Sequence, residues 1–201
     1  MRPHDLLRVS EIESTQPAPT WVRRSLRRAP WVIVRRAPAV DGMIPVGVRG
    51  SGRAQRFACH VNTASVLERL TPSQLLPRMG DLAPDAPARR ALTAVERILD
   101  EHLGTPDWGP GGSVAFQLAT GIATIHADSD LDVMLHRDQP LSRPAARALI
   151  AAFARLPCRI DCQISTPRGG LSLADWAGPA ADVLLKTEDG PVLTRDPWRT
   201  P

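Results

Sequence analysis

The segment 127–135, Ala-Asp-Ser-Asp-Leu-Asp-Val-Met-Leu, alternates acidic and apolar residues in a way that restricts how the chain can fold. Because successive side chains of a strand point to opposite faces, Leu131 and Val133 enter a core while Asp130 and Asp132 share the other face. Residues i and i+2 of a strand have Cα atoms roughly 6.5 Å apart, so the two carboxylates can converge on one or two cations. The pattern therefore predicts a strand that carries a magnesium site.

Two other interpretations compete with a magnesium site. Asp128, Asp130 and Asp132 match the first three ligand positions of a calcium-binding EF-hand loop. That loop needs glycine at its sixth position and glutamate at its twelfth, where this chain has Val133 and Gln139. The calcium loop is therefore excluded. The aspartates can also simply solvate a strand end, and the pair alone leaves this alternative open.

A glycine-rich turn lies upstream of the acidic strand. It reads Gly111-Gly112-Ser113 and precedes a short helix predicted over residues 114–120, which stops at Gly121. Glycines let the backbone approach a ligand closely, and the unpaired N–H groups of a first helical turn face an anion. Gly112 and Ser113 are therefore candidates for phosphate binding.

A third carboxylate, Asp161, lies on a second predicted strand over residues 158–164. Apolar residues alternate there with polar ones, which places Asp161 on the polar face. If this strand neighbours that of Asp130 and Asp132, three carboxylates can surround a metal pair that clamps the oxygens of an in-line displacement. The sequence does not establish that adjacency, and Asp161 alone also fits an ordinary surface aspartate.

The chain divides into two predicted parts. A small N-terminal α+β module over residues 1–80 has strands at 31–36, 43–48 and 55–61 and helical patterns at 64–70 and 72–79. The segment 80–87, rich in proline and aspartate, is the expected boundary. The remainder, residues 88–201, is the expected catalytic domain.

Two longer helices flank the acidic strands in the second part. One spans residues 88–103, between Pro87 and Gly104, and the other runs from the N-cap Ser142 to a stop before Pro157. The second helix connects the two acidic strands, and such a connection permits parallel pairing without choosing the strand order. We expect a mixed sheet flanked by helices, and an α+β fold overall.

Basic residues suggest further phosphate contacts. Arg49, Arg53 and Arg56 surround a glycine turn between two predicted strands, where they can grip an anionic donor or an acidic carrier protein. The same cluster also fits an ordinary solvated hairpin tip. Lys186 is the only lysine, and it can either neutralise a leaving pyrophosphate or remain solvated at a strand edge.

A second basic cluster contains Arg23, Arg24, Arg27 and Arg28, close to Trp21 on a predicted helix. It fits either a docking face or a solvated one. No zinc spacing and no nucleic-acid motif accompanies it, so no nucleic acid is expected as a partner.

The cysteines and the hydropathy indicate the compartment. Cys59, Cys158 and Cys162 are expected to be small core residues, which suits a reducing cytosol. No segment approaches the roughly 20 apolar residues that span a membrane, and no leader-like apolar stretch follows the N-terminal charges. A cytoplasmic protein without a membrane partner is expected.

Residues 109–165, with a glycine-serine pair, a helix, an Asp-x-Asp strand and a later aspartate strand, resemble the nucleotidyltransferase superfamily of DNA polymerase beta. A second resemblance runs nearly end to end. It is to the malonate decarboxylase holo-acyl-carrier-protein synthases, also called phosphoribosyl-dephospho-coenzyme A transferases, and it rests on the segments 30–36, 45–50, 55–57, 117–121 and 183–187.

This resemblance implies a specific reaction. A phosphoribosyl-dephospho-coenzyme A group would pass from triphosphoribosyl-dephospho-CoA to a serine of the apo acyl-carrier subunit of malonate decarboxylase, with release of pyrophosphate. The essential acidic pair of the family maps onto Asp130 and Asp132, which would hold Mg²⁺ with support from Asp161. Many members have an aromatic residue and a glutamate where this chain has Gly111 and Asp175.

Two alternatives remain open at this point. One is a nucleotidyltransferase that uses the same metal site on another acceptor, such as a small molecule, RNA or a different protein. The other is a docking protein without turnover, although the intact Gly-Ser and Asp-x-Asp pattern argues against a decayed site.

Overall fold

The computed structural model describes residues 1–38, 40–52, 54–83, 85–126 and 129–199. The chain divides into two compact units, Met1–Thr71 and Pro72–Pro201. This division falls before the boundary expected at residues 80–87, so that segment belongs to the second unit. Each unit contains both helices and a sheet, which confirms the α+β class.

The described residues of the first unit form a five-stranded antiparallel sheet and the helix α1. In chain order the elements are β1 (Leu6–Val9), α1 (Thr20–Arg28), β2 (Trp31–Val34), β3 (Met43–Arg49), β4 (Arg56–Asn62) and β5 (Val66–Leu70). The strands lie in the order β4-β3-β2-β1-β5. Helix α1 contributes Val22 to a core that includes Val32, Val46 and Val61, all fully buried. This core holds α1 against one face of the sheet.

The helix expected at residues 64–70 is wrong. A 3₁₀ turn, Thr63–Ser65, leads instead into β5, which pairs with β1 through Leu6 and Leu70. Backbone pairing with β1 stabilises an extended conformation of residues 66–70 more than their short helical pattern stabilises a helix. An Arg8–Glu68 ion pair of 3.0 Å joins the same two strands. Because β1 was not predicted as a strand, this non-local pairing was not visible in the local pattern.

The second unit carries a six-stranded mixed sheet in its described residues, as expected. Its elements are α2 (Pro87–Leu103), β6 (Asp107–Pro110), α3 (Gly112–Thr120), β7 (Leu131–His136), α4 (Arg143–Phe153), β8 (Ile160–Ser165), β9 (Gly170–Ser172), α5 (Leu173–Ala177), β10 (Val183–Thr187) and β11 (Gly190–Thr194). The strand order is β11-β10-β9-β8-β7-β6, and the β7–β8 pair is parallel. All other neighbouring strands are antiparallel.

The second unit begins with a 3₁₀ helix, Ser73–Asp81, where the sequence predicts helical structure over residues 72–79. Pro77 lies inside it and has no N–H to donate, which opposes a regular α-helix at this point. The segment contacts β6, and a Cβ at Gly109 of that strand would overlap the backbone of Pro72. Glycine at position 109 therefore allows the start of the unit to lie directly against its sheet.

The helices α2 and α4 follow their sequence signals closely. Helix α2 has proline at its N-terminus and Gly104 at its C-cap with φ of 76°. Helix α4 is capped by Ser142, whose Oγ accepts a hydrogen bond from the Ala145 N–H at 3.3 Å. Buried Leu92 and Leu149 lie on these helices, and buried Val133 lies on the apolar face of β7. Apolar packing therefore buries one face of β7, while Asp132 shares the other face with buried Met134.

Within the described ranges, no helix combines the length and the apolar character needed to cross a membrane.

Candidate active site

Asp132 and Asp161 lie directly opposite each other on β7 and β8. The strands are parallel, and paired residues of a sheet project their side chains to the same face, with the strands about 4.8 Å apart. The adjacency on which the sequence argument depended is thus confirmed. Both residues are partly exposed, so solvent reaches the carboxylate pair.

Asp130 lies one residue outside the strand on which the sequence places it. Strand β7 begins at Leu131, so Asp130 precedes the strand instead of lying in it. It lines a small pocket together with His126, Ser129 and Cys158. The i, i+2 geometry of a strand therefore does not by itself fix Asp130 beside Asp132.

The charge of Asp130 affects the pKa of the Cys158 thiol. Burial raises the pKa of this thiol, the Asp130 carboxylate raises it further, and a hydrogen bond from the Leu131 backbone lowers it. Cys158 is only partly buried, whereas Cys59 and Cys162 are core residues as predicted. The pocket beside Asp130 thus joins a carboxylate to a half-buried thiol.

Within the part of the chain that the structure describes, no group of three or more His, Cys, Asp or Glu side chains is arranged to hold a metal ion. The described carboxylates include a side-by-side pair, Asp132 and Asp161, with Asp130 immediately before β7.

The glycine-rich turn lies against Asp132. The Gly111 N–H donates to the Asp132 carbonyl at 2.8 Å, which extends the β6–β7 pairing to the start of α3. Gly112 has φ of 53°, and a Cβ at this position would overlap the Asp132 Oδ2. Glycine is therefore required at residue 112 both for backbone conformation and for space.

Helix α3 presents its N-terminus at the same place. It begins at Gly112, and its N-cap residue, Gly111, makes no side-chain capping hydrogen bond. The first N–H groups of a helix have no partner within the helix, and together with the helix dipole they attract anions. Ser113 is buried in this turn with 8% exposure. Gly112 and Ser113 therefore remain candidates for phosphate binding beside the carboxylate pair.

Two glutamines that sequence reasoning did not assign support the site. The Gln163 Nε2 donates to Asp161 Oδ1 at 2.9 Å, which orients that carboxylate. The Gln117 Oε1 accepts from the backbone N–H groups of Thr124 and Ile125 at 2.9 and 3.1 Å, which ties the segment before β7 to α3. The alternation of β8 already placed Gln163 on the face of Asp161, so this contact had a sequence signal. The contacts of Gln117 had none.

Both units resemble one family of proteins. Residues 2–72 match the model of the N-terminal domain of the phosphoribosyl-dephospho-CoA transferase MdcG, and residues 74–197 match that of its C-terminal domain. The chain belongs to the phosphoribosyl-dephospho-CoA transferase family. The break between the two matches coincides closely with the division of the structure after Thr71.

Curated relatives agree over almost the full length. A phosphoribosyl-dephospho-CoA transferase of Azotobacter vinelandii is 44% identical, with 98% of this chain and 94% of the relative covered. Proteins of the same name from Pseudomonas aeruginosa and Pseudomonas putida GB-1 are 41% and 42% identical, each over 98% of this chain and 93% and 95% of the relative. No solved structure matches this chain significantly.

The basic candidates lie further from the carboxylate pair or in the other unit. Lys186 is an exposed residue of β10, and the strands β9 and β8 separate it from β7. Pairing through Gly170 places it level with Ser165, on the same face as Asp161 but two strand spacings across and four residues along, roughly 16 Å between Cα positions. Arg49 and Arg56 are cross-strand partners on β3 and β4 of the first unit, whereas Arg53 lies outside the described residues.

The two departures from the family pattern have different surroundings. A Cβ at Gly111 would lie 3.2 Å from the Cβ of Asp132 and 3.3 Å from the Cε of Met134, so this position borders the site. Asp175 is exposed on α5, while the neighbouring Trp176 is buried and donates to the Leu141 carbonyl at 2.8 Å. In this transferase, the departure at residue 111 is the one next to the carboxylates.

Proposed function

We propose that this protein transfers the phosphoribosyl-dephospho-CoA group from triphosphoribosyl-dephospho-CoA to a serine of the apo acyl-carrier subunit of malonate decarboxylase. Membership of the transferase family supports the group that is transferred. The observation that carries the proposal is the placement of Asp132, the partner of Asp161, against Gly112 at the N-terminus of α3. Carboxylates and an anion site then lie side by side, as transfer of a phosphate-bearing group requires.

The donor set suits magnesium. Two like charges opposite each other on neighbouring strands repel, and a bound cation removes that repulsion. Carboxylate oxygens are the hard ligands that Mg²⁺ uses in phosphate-binding sites, where it keeps several waters and needs few protein ligands. Asp132 and Asp161 would hold the ion, with Asp130 available at the start of β7. When bound, Mg²⁺ would neutralise phosphate charge.

The residues of the chain orient the reactants. The N–H groups at Gly112 and Ser113 bind the outgoing pyrophosphate, and Gln163 keeps the Asp161 carboxylate in place. The acceptor serine oxygen forms a bond to the α-phosphorus of the donor as the bond from that phosphorus to pyrophosphate breaks. The serine proton passes to a carboxylate of the site. Lys186 and the arginines Arg49, Arg53 and Arg56 are proposed to contact the anionic donor or the acidic carrier.

We also place the reaction in the cytoplasm. All three cysteines, Cys59, Cys158 and Cys162, are free thiols. Free thiols persist in a reducing compartment.

Intact-mass spectrometry tests the reaction directly. The apo acyl-carrier subunit is incubated with triphosphoribosyl-dephospho-CoA, Mg²⁺ and the wild-type protein, the Asp132→Asn variant or the Asp138→Asn variant. Asp138 is exposed just after β7 and provides a matched carboxylate control. We expect a magnesium-dependent mass gain on serine with the wild type and with Asp138→Asn, and none with Asp132→Asn.

Two results would overturn the proposal. One is the absence of any mass gain when folded wild-type protein, competent donor and competent carrier are combined, which would favour a different acceptor or a docking role. The other is full transfer by Asp132→Asn at limiting Mg²⁺, which would remove the aspartate from the mechanism.

A further inference from the structure

Helix α1 carries a continuous positively charged surface. Arg23, Arg24, Arg27 and Arg28 are all exposed on this nine-residue helix, and we call them the arginine face. Residues three and four apart are neighbours on a helix surface, so Arg23 lies beside Arg27 and Arg24 beside Arg28. The arginine face therefore presents four guanidinium groups within about two turns.

Nothing in the described part of the molecule neutralises this charge. None of these arginines makes a hydrogen bond or an ion pair with another described residue, and α1 itself contains no acidic residue. Like charges at i and i+4 destabilise a helix. The helix dipole favours Arg27 and Arg28 in the last turn, but Arg23 and Arg24 lie before it. The helix dipole thus offsets only part of the repulsion within the arginine face.

The charge is also concentrated in one unit. Residues 1–71 contain twelve arginines and five acidic residues, whereas residues 72–201 contain thirteen basic and sixteen acidic residues. The formal charges are +7 and −3, which sum to the net charge of +4. An excess of this kind on one unit attracts an acidic partner and raises the rate of encounter with it.

The apolar side of α1 is already occupied. Val22 is completely buried, and Trp21 and Leu26 pack against the same core as Val22. A helix that binds a membrane surface needs an exposed apolar face to insert beside its basic one. The apolar face of α1 is packed in the core, so its charged groups on the exposed side are guanidinium groups. Binding at α1 is therefore expected to be ionic.

We infer that the arginine face is a docking surface for an acidic surface of the acceptor protein. This inference rests on the proposed function, because that reaction brings a folded protein to the enzyme as its second substrate. Guanidinium groups spaced one helical turn apart can each pair with a carboxylate of the partner. The arginines would then set the affinity and the encounter rate for the carrier, without taking part in the transfer step.

The test compares two variants of equal charge change. The first replaces all four arginines of the arginine face by glutamine, and the control replaces Arg97, Arg147, Arg155 and Arg199, which are exposed in the second unit. Binding of the apo acyl-carrier subunit is measured by fluorescence anisotropy, and folding of both variants by circular dichroism. We expect Kd to rise about tenfold or more for the first variant and to change little for the control.

Salt dependence gives a second measurement that needs no variant. The affinity of the wild-type protein for the carrier should fall steadily as salt rises from about 0.05 to about 0.3 M, because exposed ion pairs are screened. Equal Kd values for both variants, a salt-independent affinity, or absence of wild-type binding would each overturn the inference. So would binding of duplex DNA at the arginine face with no binding of the carrier.

The mass-gain assay separates this inference from the proposed function. Transfer by the wild type, with unchanged carrier affinity after loss of the arginine face, would leave the function standing and remove the docking surface. Carrier binding that depends on the arginine face, without transfer by a competent wild-type reaction, would retain the docking surface and remove the function.

Discussion

Gly112 lies against Asp132 so closely that a Cβ at residue 112 would overlap the Asp132 Oδ2. Gly112 also has φ of 53°, a conformation that L residues rarely adopt. The two residues are brought together because the pairing of β6 with β7 continues through the Gly111 N–H. Residue 112 therefore controls both the start of α3 and the position of a carboxylate.

We expect Gly112→Ala to abolish transfer, because the added methyl group must displace the Asp132 carboxylate. Gly121→Ala is the matched control, since Gly121 caps the other end of α3 with φ of 71° and a Cβ there would meet nothing within 4 Å. Both variants should lose about 1 kcal/mol of stability from the left-handed backbone, measured by denaturant unfolding. Only Gly112→Ala should lose activity. Equal activity losses in the two variants would show that strain alone, and not contact with Asp132, determines the effect.

Two ion pairs at the pairing of β1 with β5 differ in burial. Asp5 is buried and accepts from the Arg69 Nε at 2.8 Å, whereas Arg8 and Glu68 are exposed at 41% and 36%. Arg69→Ala removes a guanidinium from a buried carboxylate that keeps the Arg2 N–H at 2.8 Å, which costs about 2–4 kcal/mol of unfolding free energy. Arg8→Ala breaks the exposed pair and should cost less than about 1 kcal/mol. Urea unfolding of the two variants checks the difference, and equal losses would contradict it.

The elements that the sequence predicts correctly are those with local signals. Helix α2 shows apolar periodicity between a proline and a glycine, and Ser142 caps α4 as predicted. The alternation of the segment 158–164 likewise indicates β8. In each case the residues that determine the element lie within it or at its ends, so a single sequence contains the information.

The features that were missed depend on contacts between distant segments. Strand β5 forms because it pairs with β1, some sixty residues away in the sequence. This backbone pairing outweighs the local helical pattern of the segment. The overlap between Gly112 and Asp132 depends on the register of β6 against β7, which no local pattern specifies. The sequence could place three aspartates on polar positions. It could not determine that Asp132 faces Asp161 while Asp130 precedes the strand.

Cys158 offers a chemical probe of the charge on Asp130. Burial and the Asp130 carboxylate raise the pKa of this thiol above its usual 9.0, so less thiolate is present at any moderately alkaline pH than for a free cysteine. Removal of the charge in Asp130→Asn should lower the pKa of Cys158 and move its alkylation profile to lower pH. Iodoacetamide labelling as a function of pH, read by peptide mass spectrometry, measures this shift. Cys59, with a pKa raised to about 11 mainly by burial, is the internal reference and should not change.

We expect the Asp132–Asp161 pair to lower the stability of the metal-free protein and to raise it when Mg²⁺ is bound. Like charges on directly paired residues destabilise a sheet, so Asp161→Asn should raise the stability of the metal-free protein by about 0.2–1 kcal/mol. The Asn side chain keeps an oxygen that can accept the Gln163 hydrogen bond of 2.9 Å.

A ligand that binds only the native state raises the unfolding temperature, so Mg²⁺ should stabilise the wild type and have little effect on the variant. Thermal unfolding in EDTA and in excess Mg²⁺, with Asp138→Asn as the control, tests both signs. A variant that is less stable than the wild type in EDTA and equally stabilised by Mg²⁺ would exclude the carboxylate pair as the metal site.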